Sequence, residues 1–213
     1  MITRTTDPLA APRRRRSSLQ PFLALAALLA ATFSTTPAAA LNWRIDPAES
    51  AIAFRYTEDG APEVGAFAAF KGVAEFDAAR PHRARLDLII EVDSIELKDA
   101  FRSGFVQSET WFDSAAHPRA LFRLERIALA PSAPPAAADE PRPYDVEGVL
   151  TIKGVSLPIA TQIDLTLQDR VARAVGEVRF DRRAFSIGDA FGALFVDIGA
   201  EIIVAFDIVA KRI

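Results

Sequence analysis

The stretch VEGVLTIKGVSLPI, residues 146–159, decides the fold of this chain. Apolar or small residues at the even positions 146–152 alternate with mostly polar residues at the odd positions, which is typical of a half-buried β-strand. Gly154 then permits a turn, and Ile159 begins a second apolar series. The stretch predicts a strand, a turn and a returning strand, and it carries no catalytic or metal-binding motif.

The same alternation recurs along the chain and predicts eight strands, at 51–57, 70–77, 85–93, 120–125, 144–153, 159–168, 176–180 and 201–208. Each segment has one apolar and one mostly polar side, which indicates an antiparallel sheet with one wet face. Eight such strands with short connections favour an all-β fold, either an up-and-down barrel or a sandwich. The interior of an eight-stranded barrel is just wide enough to be filled by side chains or to hold one slim ligand.

Two segments lack the alternation. Residues 97–112, LKDAFRSGFVQSETWF, space their apolar residues nearly as a helix does, and we expect one or two short helices there that could cover a barrel end. Residues 131–143, PSAPPAAADEPRP, are rich in proline and alanine and predict a solvated loop.

The first 40 residues predict a secretory signal peptide. A basic block at 13–16 precedes an apolar run of 15 residues, 19–33, and the segment ends in small residues up to Ala40. A membrane-spanning helix needs about 20 residues, so the run favours a cleaved leader over an anchor. Arg15 and Arg16 also leave a twin-arginine export signal open. We therefore expect a periplasmic protein whose folded domain is 41–213.

The composition of residues 41–213 excludes several classes of partner. This part holds 20 Lys and Arg against 27 Asp and Glu, and an acidic chain without a basic cluster does not predict a nucleic-acid partner. The chain has no cysteine, so disulfides, thiol catalysis and cysteine metal sites are absent.

Catalytic motifs are also missing. The two histidines, His82 and His117, both lie beside proline in predicted turns, and a zinc site needs about three or four ligands, mostly His or Cys. Acidic pairs such as Glu75 and Asp77 are explained as outward-facing strand positions. A Ser–His–Asp triad is defined by geometry, so the sequence alone leaves it open. We expect no catalytic residues, no metal and no cofactor.

Aromatic residues are in surplus instead. Thirteen of the fifteen phenylalanines follow residue 40, and several lie outside the predicted strands. Each one alone fits an ordinary core, but together they favour a cavity lined by apolar side chains.

Six motifs in order give the chain a family resemblance: W-x-I-D-P-x-x-S-x-I-x-F at 43–54, G-x-F…F-x-G at 65–72, V-x-S-I at 92–95, W-F-D…P-x-A-x-F at 111–122, G-x-L-T-I-K-G-V-x-x-P at 148–158, and D-R-x-x-F-x-I-G at 181–188. The chain thereby resembles the YceI-like, polyisoprenoid-binding proteins over essentially all of 42–213. It departs from the family pattern at two places. The family often has Arg-Asp before the W-F-D motif, whereas here Arg102 is followed by Ser103, and Phe105 occupies a position that can be polar.

The resemblance implies a lipocalin-like, eight-stranded antiparallel barrel with a central tunnel for a long isoprenoid chain, such as a quinone tail or a polyprenyl lipid. The predicted ligand-binding residues are Phe54, Tyr56, Phe70, Leu88, Phe101, Phe105, Trp111, Phe112, Phe122, Leu150, Ile152, Ile163, Leu165, Phe180, Phe185, Phe191, Phe195, Val204 and Phe206.

Three functions remain open from the sequence. The first is a non-enzymatic carrier or store of an isoprenoid lipid, with transient contact to a membrane. The second is an enzyme acting on a lipid or quinone in the same barrel, which would need an inward-facing titratable group with a shifted pKa. The third is a ligand-free barrel that contacts a membrane redox protein. The oligomeric state is open, with a homodimer among the alternatives.

Overall fold

The computed structural model describes residues 41–135, 139–188 and 197–213, and the predicted leader at 1–40 lies outside them. Eleven strand segments form one antiparallel sheet: β1 Asn42–Ile45, β2 Ala51–Glu58, β3 Ala61–Phe67, β4 Phe70–Glu75, β5 Arg85–Glu91, β6 Ile95–Glu96, β7 Arg119–Leu129, β8 Arg142–Ile152, β9 Val155–Gln168, β10 Val171–Asp181 and β11 Glu201–Arg212. The helix described in these ranges is α1, Ala100–Val106.

The sheet closes into an eight-stranded barrel because three of its strands are each built from two segments. The segment β1 pairs with β4 and β11, while β2 continues along β11 and pairs with β3. In the same way β4 pairs with β5, and β3 pairs with β6. Counting β1–β2, β3–β4 and β5–β6 as one strand each gives eight strands, each paired with the next in the chain and the last paired with the first. The predicted antiparallel barrel is confirmed.

Two of the interruptions are built by the sequence motifs. Between β1 and β2, the Ser50 hydroxyl donates to the Asp46 carbonyl at 2.7 Å and accepts from the Val209 amide at 2.9 Å. Between β5 and β6, the Ser94 hydroxyl donates to the Glu91 carbonyl at 2.6 Å. A serine at each break therefore replaces ladder hydrogen bonds that the bent strand has lost.

The quoted stretch forms β8 and β9 as predicted. Ile152 and Val155 face each other across a two-residue turn in which Lys153 and Gly154 have φ of 49° and 77°. Two consecutive positive φ values are the signature of the type I′ turn that connects twisted antiparallel strands.

Each predicted strand corresponds to one strand of the barrel, but several ends differ and the segments β1, β3 and β6 were not predicted. The strand predicted at 120–125 continues to Leu129 in the structure. The prediction ended too early because a bulge between Leu124 and Arg126 interrupts the alternation. The sequence reading missed β3, since Pro62, Glu63 and Gly65 weaken its strand pattern. Strand β8 begins at Arg142, inside the loop predicted at 131–143.

The barrel has two ends with different connections. At the first end lie the β2–β3 and β8–β9 turns, the segment 97–118 with α1, and the connection from β10 to β11. At the second end lie both termini of the barrel, the β4–β5, β7–β8 and β9–β10 connections, and a core cluster of Ile127, Tyr144, Val146, Ile163 and Leu165. We call these the helix end and the terminal end.

Candidate binding cavity

A cavity of about 630 Å³ lies inside the barrel, within the usual range of small-molecule sites. Its wall consists of the inward side chains of the strands, and it extends from Phe101 and Phe105 at the helix end to Phe76 and Arg85 at the terminal end. Because side chains alternate between the two faces of a strand, the same pattern that predicts the strands also produces this apolar wall.

Most of the residues predicted to contact a ligand lie in the cavity wall. Those that line it are Phe54, Tyr56, Leu88, Phe101, Phe105, Trp111, Phe112, Phe122, Leu150, Ile152, Ile163, Leu165, Phe180, Val204 and Phe206. Their position agrees with the predicted tunnel, and their contact with a ligand stays a prediction.

Two predicted residues lie in the packed core, outside this wall. Phe185 has no exposed surface and packs edge-on against Phe180, with ring centroids 5.2 Å apart. Phe70 is also buried and belongs to the same core cluster as Phe185. Alternation marks Phe70 as inward-facing, and Phe185 was predicted from the surplus of aromatic residues outside the strands. Neither signal distinguishes a side chain that faces a cavity from one covered by its neighbours. Phe191 and Phe195 lie outside the described residues.

Glycines opposite the aromatic residues keep the cavity open. A Cβ atom at Gly148 would lie 2.4 Å from the Phe122 ring, and one at Gly65 would lie 2.3 Å from the Phe54 ring. Neither distance is sterically allowed, so each ring occupies the space that a side chain on the neighbouring strand would need. The rings can therefore lie against the wall and leave the central volume free.

A small polar group interrupts the apolar wall at the helix end. The Arg102 guanidinium donates to the Glu58 carboxylate at 2.7 Å and to Asp99 at 2.6 Å, and Arg102, Glu58 and Tyr56 all line the cavity. Burial raises the pKa of the Tyr56 phenol, with Glu58 and Glu63 as smaller causes. Tyr56 is therefore a protonated hydrogen-bond donor at neutral pH and is unsuited to act as a base.

A second arginine at the helix end lies in a packed environment. Arg182 is 8% exposed, and its guanidinium donates to the carbonyls of Ile187, Ile198 and Gly199 at 2.5, 2.8 and 3.0 Å. The guanidinium carbon Cζ of Arg182 also lies 5.3 Å from the centre of the Trp111 ring, which is a cation–π distance. We call this group, with the turn Arg182–Phe185, the packed corner.

Several polar residues of the wall were missed from the sequence. Glu58, Thr161 and Arg182 line the cavity. Glu75 and Arg85 also border it at the terminal end, although both are exposed at odd positions of β4 and β5, as the outward direction predicted for Glu75 requires. The position of Glu58 could have been found, since it continues the even-numbered inward series of Ile52 to Tyr56 along β2. The ammonium of Lys153, by contrast, donates to the carbonyls of Glu109 and Ser186 at 2.8 and 2.9 Å, and Lys153 is not among the wall residues.

The two histidines occupy turns. His82 lies in the short 3₁₀ turn Pro81–Arg83, and His117 follows α1 with its ring against Gly154 and 4.0 Å from the Asp113 carboxylate. Among the described residues no group of three or more His, Cys, Asp or Glu side chains is arranged to hold a metal. Within the same ranges, no helix has both the length and the apolar character required to cross a membrane.

Solved structures with the same fold agree with this architecture. BcnA of Burkholderia cenocepacia has a TM-score of 0.68 and 26% identity, over 78% of this chain and 99% of BcnA. A polyisoprenoid-binding domain from Saccharophagus degradans has a TM-score of 0.66 and 19% identity, over 81% of this chain and 99% of that domain. At this identity the second likeness concerns the fold alone.

Relatedness extends to the sequence. A UPF0312 protein of Photorhabdus laumondii is 27% identical over 135 residues, which are 62% of this chain. The match covers 65% of that relative, so the chain spans slightly less than two thirds of its length. The family model for the YceI-like domain matches residues 43–210, nearly the whole barrel. The resemblance of the six motifs is thereby confirmed, and the chain belongs to the YceI-like family.

Proposed function

We propose that this protein is a non-enzymatic binding protein that holds the long apolar chain of an isoprenoid lipid, a polyprenyl or a quinone tail, inside its barrel for transport, storage or handling. The observation that carries the proposal is the apolar cavity of about 630 Å³ between the two ends of the barrel. Membership of the YceI-like family and the binding described for the Saccharophagus domain support the ligand class.

The energetics favour a chain-like ligand. Each CH₂ group transferred from water to an apolar wall gains about 0.8 kcal/mol, before the cost of association is subtracted. A long hydrocarbon chain therefore needs few hydrogen bonds to bind firmly. A cavity inside an eight-stranded barrel is also narrow, which favours a slim chain over a broad ring system.

The polar group at the helix end is suited to a ligand head group. Tyr56 offers a hydroxyl donor, and the Glu58–Arg102 pair offers charged atoms beside the apolar wall. An enzyme would need an inward-facing titratable group with a shifted pKa, and Tyr56 is such a group. Its raised pKa keeps the phenol a donor at neutral pH, and Arg102 compensates the charge of Glu58, so this pair of residues suits head-group binding better than proton abstraction.

An inward and an outward alanine provide a matched test. Ala174 of β10 lines the cavity, whereas Ala160 of the neighbouring β9 is exposed on the outer surface. We expect Ala174→Phe to obstruct the cavity and Ala160→Phe to leave it open. Mass spectrometry of organic extracts from each purified protein measures the bound lipid, and quenching of Trp43 and Trp111 by an added long-chain ubiquinone measures binding directly, since both indoles line the cavity.

The proposal requires that the unmodified protein and Ala160→Phe carry or take up an isoprenoid lipid, with a clear decrease in Ala174→Phe. Equal lipid content in the two variants, or no binding of the ubiquinone by the unmodified protein, would contradict it.

We further propose that residues 1–40 export the protein to the periplasm, on the strength of their basic, apolar and small-residue segments. Cell fractionation with N-terminal sequencing of the native protein tests this, and a retained, uncleaved N-terminus would contradict it.

A further inference from the structure

Helix α1 presents two aromatic rings to the solvent. Phe101 is 80% exposed and Phe105 is 46% exposed. The two rings stack on each other with centroids 6.4 Å apart and planes inclined by 16°. They are four residues apart and so lie on one side of the helix. Single exposed apolar residues are ordinary, but a stacked aromatic pair beside a cavity indicates a contact surface.

The rings belong to the cavity as well as to the outer surface. Phe101 and Phe105 line the wall at the helix end, and the Phe105 ring continues to Trp111, with centroids 6.1 Å apart. The exposed pair is therefore continuous with the apolar lining and forms part of the rim where the cavity meets the outside. Whatever covers these rings also lies at the entrance of the cavity.

The cations near the rings have acidic partners. Arg102 is paired with Glu58 and Asp99, and Lys98 donates to Glu63 at 3.0 Å. Compensated charges of this kind give little attraction to anionic phosphates. A partner that contacts the rings is therefore selected by its apolar character and not by its charge.

The exposed aromatic surface is small. With about 200 Å² for a phenylalanine side chain, the two rings together expose roughly 250 Å². A stable protein interface buries about 800 Å² on each partner, so this patch is too small to hold a second protein by itself. Shallow insertion of a few aromatic side chains into the boundary between lipid headgroups and acyl chains needs no larger area.

We propose that α1 docks on the surface of a lipid bilayer, with Phe101 and Phe105 inserted into this boundary. Docking brings the rim of the cavity to the phase in which a long apolar chain is dissolved, so the ligand can enter or leave without crossing water. This inference rests on the proposed function for its purpose, but the docking itself depends only on the surface of α1.

Vesicle flotation with single substitutions tests the docking. The vesicles consist of phosphatidylcholine and phosphatidylethanolamine, which carry no net charge. We expect Phe101→Ser to reduce the partition coefficient about tenfold, in line with the loss of one inserted aromatic ring. Phe101→Trp should bind at least as well as the unmodified protein, because tryptophan favours the membrane interface. Val73→Ser is the matched control, since Val73 is 53% exposed on the outer side of β4.

Salt and anionic lipid separate this mode from electrostatic attachment. Binding should persist at about 1 M salt, where the screening length is about 3 Å, and should change little when phosphatidylglycerol is added. Binding that requires phosphatidylglycerol and is lost in high salt would overturn the proposal. Equal flotation of Phe101→Ser and the unmodified protein would also overturn it, as would a dimer that dissociates in Phe101→Ser while the unmodified protein fails to bind vesicles.

The cavity variants separate the two proposals. Ala174→Phe should still bind vesicles, because Ala174 lies inside the barrel, away from the rings. If Ala174→Phe and Ala160→Phe contain equal lipid while Phe101→Ser loses vesicle binding, only the proposed function fails. If Ala174→Phe loses its lipid while Phe101→Ser floats normally, only the docking fails.

Discussion

The two arginines at the helix end of the barrel have opposite environments. Arg182 is almost completely buried and donates to three backbone carbonyls that belong to the connection between β10 and β11. Arg102 has 38% of its side chain exposed and is held by the carboxylates of Glu58 and Asp99. Both contribute to the cavity wall, yet one ties chain segments together and the other lies beside the aromatic rim.

The difference shows how one end of a barrel can be both closed and accessible. In the packed corner, buried carbonyls need a donor, so the guanidinium is part of the fold. On α1, Arg102 and Asp99 are 38% and 43% exposed, so this ion pair can change its contacts at small cost, whereas Glu58 keeps only 12% of its side chain exposed. We expect the packed corner to retain the barrel shape while α1 exchanges solvent for another surface.

The largest expected effect comes from replacing each arginine by methionine, which keeps the length of the side chain and removes the charge. Arg182→Met should lower the free energy of unfolding by about 3 kcal/mol, because it leaves buried carbonyls without their donor. Arg102→Met should lower the melting temperature by less than about 2 °C. Chemical denaturation and thermal melts of both variants measure the two losses of stability. Equal decreases in the melting temperature of the two variants would contradict the contrast.

A smaller loss of stability is expected at Lys153. Its ammonium connects the β8–β9 turn to two other segments by donating to the carbonyls of Glu109 and Ser186. Lys153→Met should cost about 1 kcal/mol, because these bonds are partly replaced by water. The measurement is the denaturant midpoint at neutral pH. Lys71→Met is the control, since Lys71 makes an exposed ion pair with Glu91 on the outer wall. A loss of stability no larger than that of the control would contradict this, because the bonds of Lys153 would then contribute no more than an exposed ion pair.

The smallest effect concerns two aspartates that begin the turns on the two sides. Asp181 accepts from the amide and guanidinium of Arg183, and the guanidinium is the main cause that lowers the pKa of its carboxyl from 3.8 to about 2. Asp99 accepts from the amide and guanidinium of Arg102, which lower its pKa in the same direction. A depressed pKa stabilises the folded state above the unfolded value and loses this effect as the pH falls through the folded value.

We therefore expect Asp181→Asn to lower the melting temperature by about 1–2 °C at pH 7, with the difference from the unmodified protein disappearing between about pH 4 and pH 2. Asp99→Asn should lower the melting temperature by less than Asp181→Asn, because asparagine also caps a helix and α1 is short and has no buried residue, and it should speed amide exchange only within α1. Melts across this pH range with hydrogen exchange provide the check. A difference for Asp181→Asn that grows on acidification would have the wrong sign.

Most of the fold was predictable because a strand shows its two faces directly in the sequence. The inward positions of β2, β8, β10 and β11 follow from alternation alone, and most of the proposed ligand contacts lie where that register places them. The interruptions were less visible. Ser50 and Ser94 belong to two of the motifs, but only their bonds to backbone carbonyls mark them as the sites where a strand bends.

The candidate cavity was predictable in its composition but not in its extent. Phe70 and Phe122 have the same inward direction in the sequence, yet only Phe122 lines the cavity, with its ring in the space left by Gly148. The polar residues of the cavity wall were harder to predict. Arg182 belongs to a motif, but the motif does not show which groups its guanidinium contacts. Its partners are backbone carbonyls of residues up to 17 positions away, which a local pattern cannot reveal.

By itself the sequence determined the strand count, the register of the apolar face and the family, because side-chain alternation and the six motifs are local properties of the chain. The tertiary structure alone decided which apolar side chains leave a space between them and which fill it. It also decided which arginine is buried and which aromatic residues of α1 remain exposed. These outcomes depend on contacts between residues far apart in the chain, where packing and the supply of hydrogen-bond partners are settled for the barrel as a whole.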